Sequence, residues 1–280
     1  MTINRLVLFR AFKYVVYAFL AMNIYWFFIE EHAVVALQFP DGVEFARLFE
    51  AYAATIDTAA WVILLLMFEL ETSVLEDHHF TRGVTWTVQI VRIICYALIV
   101  RAFFGYIENL LFFDGVSVMA AGTDLCTLVD QWSYAVDLDE FEAITPGNCS
   151  SFGTALPLYQ FPGMNAVVDS VGLFDIRALA WVDVINAGVW LLVVMVLELD
   201  VQLQEKNQLK GAVLKTSNGL KFVFYSLLFL AAVYWGIKGD FVDFWDAFLW
   251  LVAFFFIELN VVEWRHETEA AQAKSGIEQY

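Results

Sequence analysis

Six blocks of the chain are apolar over the length of a membrane-spanning helix, near residues 14–30, 52–70, 84–107, 178–199, 220–237 and 246–263, and polar residues gather between them. A helix needs about 20 such residues to cross the hydrocarbon core, so the pattern predicts an all-α polytopic membrane protein with six transmembrane helices. The first block ends in Glu30-Glu31, and no small-residue cleavage pattern follows it. It reads as a retained helix and not as a removed signal peptide.

The few polar residues inside the blocks repeat. The dipeptide Glu-Leu occurs three times, at Glu69, Glu198 and Glu258, each time closing an even-numbered block. Eight residues before each Glu stands Trp61, Trp190 or Trp250, and four before each Trp stands Asp57, Asn186 or Asp246. The odd-numbered blocks open alike, with Lys13 and Tyr17, Arg92 and Tyr96, and Lys221 and Tyr225. From Glu69 to Arg92 is 23 residues and from Glu198 to Lys221 again 23, whereas Tyr to Trp varies over 44, 94 and 25. Constant spacing on one side and variable length on the other predict a triplicated hairpin. A two-helix unit returns the chain to its starting side, so three tandem units run parallel about a pseudo-threefold axis along the membrane normal. The expected units are 1–83, 84–216 and 217–267, with an outer loop insertion at about 108–176 in the second and a polar tail at 268–280.

This plan sorts the polar residues into layers. Lys13, Arg92 and Lys221 fall at the depth of Glu69, Glu198 and Glu258, which predicts a ring of ion pairs at the inner end. Such a ring serves either as a register clamp or as a gate or ion site. Asp57 lies twelve residues before Glu69, roughly 18 Å along a helix. With Asn186 and Asp246 it forms an outer polar layer, where a helix dipole favours an acid at the N-terminus. Trp61, Trp190 and Trp250 lie between the layers and, with Tyr17, Tyr96 and Tyr225, are expected to pack, their indole N–H groups on neighbouring carbonyls. Arg101 breaks the repeat. An arginine at its depth needs a carboxylate or a wet cavity, and Asp57, Asp183 and Asp246 are within reach.

Loop charge orients the chain. With both termini cytoplasmic, eleven Lys and Arg fall inside and four outside, namely Arg47, Arg101, Arg177 and Lys238. This is the positive-inside bias of a multi-pass protein of a bacterial inner membrane or plasma membrane. The net charge of −17 concentrates outside: ten carboxylates lie from Glu108 to Asp175, and no Lys or Arg from 102 to 176. Such a surface attracts cations and repels anions and nucleic acid; it either feeds a pore or only keeps the loop solvated, as in a salty habitat. Hydrophobic residues make up 61% of the chain, with 27 Phe, which excludes an ordinary soluble domain and leaves the bilayer as first partner.

Cys126 and Cys149 share the insertion, in what should be an oxidising compartment. A bond between them closes a loop of roughly 22 residues and is worth about 3 kcal/mol. Cys95 sits in the third block as a small buried residue. The four His (His32, His78, His79, His266) lie at or beyond block ends, leaving no intramembrane axial ligand for haem. Two Glu-x-x-His matches, Glu76 with His79 and Glu263 with His266, could join Glu198 and Glu205 as a di-metal carboxylate set. Their His residues follow Glu-Leu at unequal intervals, however, and solvated helix ends account for both. There is no nucleotide-binding glycine loop, nucleophile elbow or zinc-type cysteine cluster, so neither a cofactor nor a catalytic site is expected. Mitochondrial carriers are also built of three two-helix repeats, but their proline-acid-basic motif is absent here; the similarity is architectural and transfers no residue.

Two readings remain. The first is a channel or transporter, for a cation, with an acidic outer vestibule and an inner ion-pair ring. The second is a non-catalytic scaffold or accessory subunit that assembles with itself or with other membrane proteins. A water path between the three Trp residues favours the first, and a dry axis the second.

Overall fold

The structure, a computed structural model, describes residues 5–70, 82–152, 157–206 and 208–256. It is mostly helical: α1 (Arg5–Gln38), the one-turn α2 (Leu48–Ala51), α3 (Ala53–Glu69), α4 (Arg82–Phe112), α5 (Ser170–Glu205), α6 (Ala212–Lys238) and α7 (241–256). Four stretches are long and apolar enough to cross a membrane, namely Arg10–Gln38, Trp86–Gly115, Ser170–Gln204 and Ala212–Lys238. The pair Phe45–Ala51 and Ala53–Glu69, bent by 81°, makes a fifth if counted as one broken span. These are the lengths and hydropathies of a multi-pass membrane protein. Glu258, the Glu76, His79, Glu263 and His266 set, and the polar tail lie outside the described residues.

The helices pack in chain order and close into a ring. α1 lies against α3, α3 against α4, α4 against α5 and α5 against α6. On α6, Gly236 faces the Phe244 ring of α7. From α7 the ring returns to α1, where Asn23 Nδ2 donates to Asp246 Oδ1 at 2.7 Å and the Phe19 and Trp245 rings meet edge-on. α3, α5 and α7 turn Leu65, Val193 and Ala253 into one buried axial cluster. α1, α4 and α6 expose large apolar side chains such as Phe12, Ile93, Phe222 and Phe229. In water such a surface would be a liability; against lipid tails it suits the solvent.

The bend before α3 has two local causes. Glu31 of α1 accepts the N–H groups of Ala54 and Thr55 at 2.7 and 3.1 Å and the Thr55 hydroxyl at 2.6 Å. A neighbouring helix thus satisfies the orphan donors of the first turn of α3, which the chain's own cap residue, Tyr52, does not. Gly105 then lets α4 close on the broken segment, since a Cβ there would stand 2.4 Å from the Phe49 carbonyl oxygen.

The insertion, expected as an ordered, disulfide-bonded loop of an all-α protein, carries a small sheet instead. β1 (Ser117–Val118), β2 (Ser133–Ala135), β3 (Phe141–Ala143), β4 (Tyr159–Gln160) and β5 (Ala166–Val168) form one mixed sheet in the order β1-β4-β5-β2-β3, with β2 and β5 parallel. Strands of two or three residues are too short for alternation to register in a sequence. The core of the sheet, with Ile144, Phe161, Val167 and Val168, continues into Ile176 and Leu179 of α5 and Trp235 of α6. The sheet is thereby seated on one end of the bundle. Cys126 and Cys149 are bonded, their Cα atoms 5.0 Å apart, and tie together the two ends of the β2–β3 hairpin. Replacing both with Ser is expected to cost about 3 kcal/mol, read as a lower melting transition. Unchanged melting would mean that packing alone holds the hairpin.

Candidate functional site

A cavity with about 110 Å³ of room for water centres lies where the sheet meets the bundle. Seven carboxylates line it: Glu31 from α1, Glu50 from α2, Asp57 from α3, Asp183 from α5, Asp243 and Asp246 from α7, and Asp139 from the tip of the β2–β3 hairpin. Of these, Glu50 is paired with Arg47 at 2.6 Å. None of the described lining residues is a Lys, Arg or His. Carboxylates crowded around one low-dielectric space need a compensating positive charge, whether protons or a cation.

The hairpin caps this cavity with Leu138, Asp139 and Phe141. Burial, followed by the charges of Asp183, Glu31, Asp240 and Glu30, holds the Asp139 carboxyl well above the usual range. Asp137 shifts the same way, through burial and then Asp240, Glu140 and Asp175. The folded Asp139 therefore binds its proton more tightly than the unfolded one. Its contribution to stability is full in acid and is lost as the pH rises from the ordinary aspartate range through the raised value. Asp139→Asn is expected to melt higher than the wild type near pH 8, with the gap shrinking towards about pH 4. An equal gap at both ends would mean that Asp139 ionises as an ordinary aspartate.

Three indoles form the floor. The ring centroids of Trp61, Trp190 and Trp250 stand 6.2 to 6.5 Å apart, and the Phe254 ring completes the layer 4.6 Å from Trp190. The N–H of Trp61 is directed at Asp57 and that of Trp250 at Asp246, one turn back on the same helix. This corrects two expectations. The indoles of Trp61 and Trp250 face these carboxylates instead of neighbouring carbonyls, and Asp57 and Asp246 line an internal cavity instead of serving as helix N-terminal acids. Asn186, at the third equivalent position, keeps its Oδ1 buried without a partner.

Beyond the floor lies a second cavity with about 300 Å³ of such room. Trp61, Trp250 and Phe254 line both cavities. The walls of the second are mostly Leu, Val and Phe, with Arg92, Tyr96, Glu198, Asp200 and Gln204 as polar members. Near this end Lys13 Nζ lies 2.5 Å from Glu69 Oε1, and the Tyr14 and Tyr17 hydroxyls donate to the same carboxylate at 3.2 and 3.4 Å. Tyr96 donates to Glu198 at 2.8 Å, and Tyr225 packs against the axial cluster. Lys221 Nζ lies 3.2 Å from Asp200 Oδ2, which also accepts from the Ser217 hydroxyl at 2.7 Å. The Glu-Leu repeat does not single out Asp200. A signal was there, since Glu71 and Asn260 stand at the same offset after Glu69 and Glu258.

Arg101 also departs from expectation. Its Nη2 meets Glu108 at 3.2 Å and its guanidinium lies over the Phe49 ring, while Asp57, Asp183 and Asp246 belong to a cavity that it does not line. Glu108 stands two helical turns along the same face of α4. Comparing depths between helices passes over a partner on the residue's own helix.

No family model, curated protein or solved structure matches this chain.

Proposed function

We propose that the protein is a channel or transporter for cations, closed at the layer of Trp61, Trp190, Trp250 and Phe254. One observation carries the reading: two cavities flank a single aromatic partition, and one of them is lined by seven carboxylates and no described basic residue. A constriction of indoles separates water-sized spaces as a hydrophobic gate does. The surplus of carboxylates makes the space beside it attractive to positive charge and hostile to anions.

In this reading α7 is the start of a sixth span over 246–263, and the helices form three hairpins, 1–83, 84–216 and 217–267, with the insertion on the outer side and both termini cytoplasmic. Support comes from equivalent contacts in different units. Tyr17 and Tyr96 each donate to the Glu that closes their own hairpin, and Trp61 and Trp250 each face the Asp four residues earlier. The excess of inner Lys and Arg supports the orientation. The buried pairs of Lys13 with Glu69 and Lys221 with Asp200 then act as clamps of helix register. The close packing of the indole layer also favours a second reading, a scaffold that moves nothing and assembles with itself or with other membrane proteins. Cation flux into liposomes carrying the purified protein separates the two, because a scaffold leaves the vesicles tight.

A further inference from the structure

We propose that the cation admitted by this site is an organic ammonium ion, an amine or quaternary ammonium on an apolar body, and not a metal ion. The inference rests on the cation reading above and names its substrate class.

The first argument is the spacing of the acids. A metal ion needs several oxygens converging within bonding distance of one point. Among the described residues no three His, Cys, Asp or Glu side chains converge in that way. The carboxylates of Asp57, Asp183 and Asp246 are instead spread around the wall of a cavity floored by indoles. A negative wall over aromatic faces is the environment that an ammonium ion uses, since it is attracted to π faces and, when quaternary, has little hydration to lose on entering.

The second argument is the far side of the partition. There the walls are mostly apolar, and the acids Glu198 and Asp200 stand beside Arg92 and Lys221, so the second cavity offers no comparable surplus of negative charge. A hydrated metal ion leaving the acidic cavity would meet mostly apolar walls, with few oxygens to replace its water. An ammonium on an apolar body would gain by burial, with Trp61, Trp250 and Phe254 in contact on either side of the crossing.

The third is a donor left short. Trp235, 3% exposed, forms part of the acidic cavity's wall; its N–H is directed towards Asp183 but makes no hydrogen bond. Buried donors are normally satisfied. An occupant that draws Asp183 inward, or brings an oxygen of its own, would satisfy this one.

The test uses full-length protein in lipid nanodiscs, with tetraethylammonium and benzyltrimethylammonium chlorides set against NaCl, KCl and MgCl2 at matched ionic strength. Intrinsic tryptophan fluorescence and the melting temperature are read together. The expected result is a saturable fluorescence change and a higher melting temperature with the ammonium salts only. Asp57→Asn with Asp246→Asn should weaken that binding about tenfold or more, as expected where charge and π faces act together. Asp183→Asn is the second variant should the pair fail to fold. Equal responses to the metal chlorides, or no response to either ammonium ion, would overturn the proposal. Metal-ion flux through liposomes without ammonium binding would remove this inference and leave the cation reading standing. Ammonium binding without flux of any cation would support the site and remove transport.

Discussion

Lys13→Met is expected to destabilise the protein by about 3–5 kcal/mol, the usual consequence of removing one partner of a buried ion pair. Lys13 is 7% exposed and Glu69 5%, and their side chains meet at 2.5 Å. With the ammonium gone, the Glu69 carboxylate keeps the hydroxyls of Tyr14 and Tyr17, which donate hydrogen bonds but bring no positive charge. The variant's melting transition should fall steeply. Adding Glu69→Leu removes the carboxylate that Lys13 neutralises and should recover much of the loss, because an apolar pair in place of a buried ion pair is often neutral or better. If the double variant melts as low as the single one, the pair is not the source of the effect. A single variant that melts like the wild type would mean that Glu69 reaches solvent.

The largest functional effect is expected from Trp190→Ala. Trp190 touches Trp61, Trp250 and Phe254 at once and is the member of the layer contributed by α5. Its removal leaves a void between the two cavities that other side chains fill only in part, at about 3–5 kcal/mol in stability. The same void joins the spaces that the layer keeps apart. Cation leak in liposomes should rise by about tenfold or more, which takes only some 1.4 kcal/mol off the barrier. Trp190→Phe retains a ring and should leak less than the alanine variant. A destabilised but tight Trp190→Ala would make the layer a packing element and would favour the scaffold.

The sequence exposed what depends on position along a helix. The meeting of Trp61, Trp190 and Trp250, the contacts of Tyr17 and Tyr96 with Glu69 and Glu198, and the Lys13–Glu69 pair are consistent with constant spacing on helices that pack side by side. Long-range placement was not legible. Glu31 caps α3 from 23 residues away, and nothing in its neighbourhood marks it as more than the acid that ends a span. Asp139 enters the cavity only because a hairpin of three-residue strands seats its tip there, and that seating is fixed by a core shared between sheet and helices. The disulfide was legible because two cysteines shared a single outer segment. Arg101 illustrates the opposite case to Glu31: the carboxylate it needs is Glu108, close by on its own helix, and spacing between helices does not point to it.

The central claim is that positive charge crosses this bundle through the carboxylate-lined cavity and its indole floor. It is tested most directly by the membrane potential that a tetraethylammonium chloride gradient generates across liposomes holding the purified protein, measured for the wild type and for Trp190→Ala. A potential of the cation-selective sign is predicted, larger in Trp190→Ala and reduced when Asp57→Asn and Asp246→Asn are added. A potential of the anion-selective sign, or none above protein-free vesicles in either form, would contradict the claim.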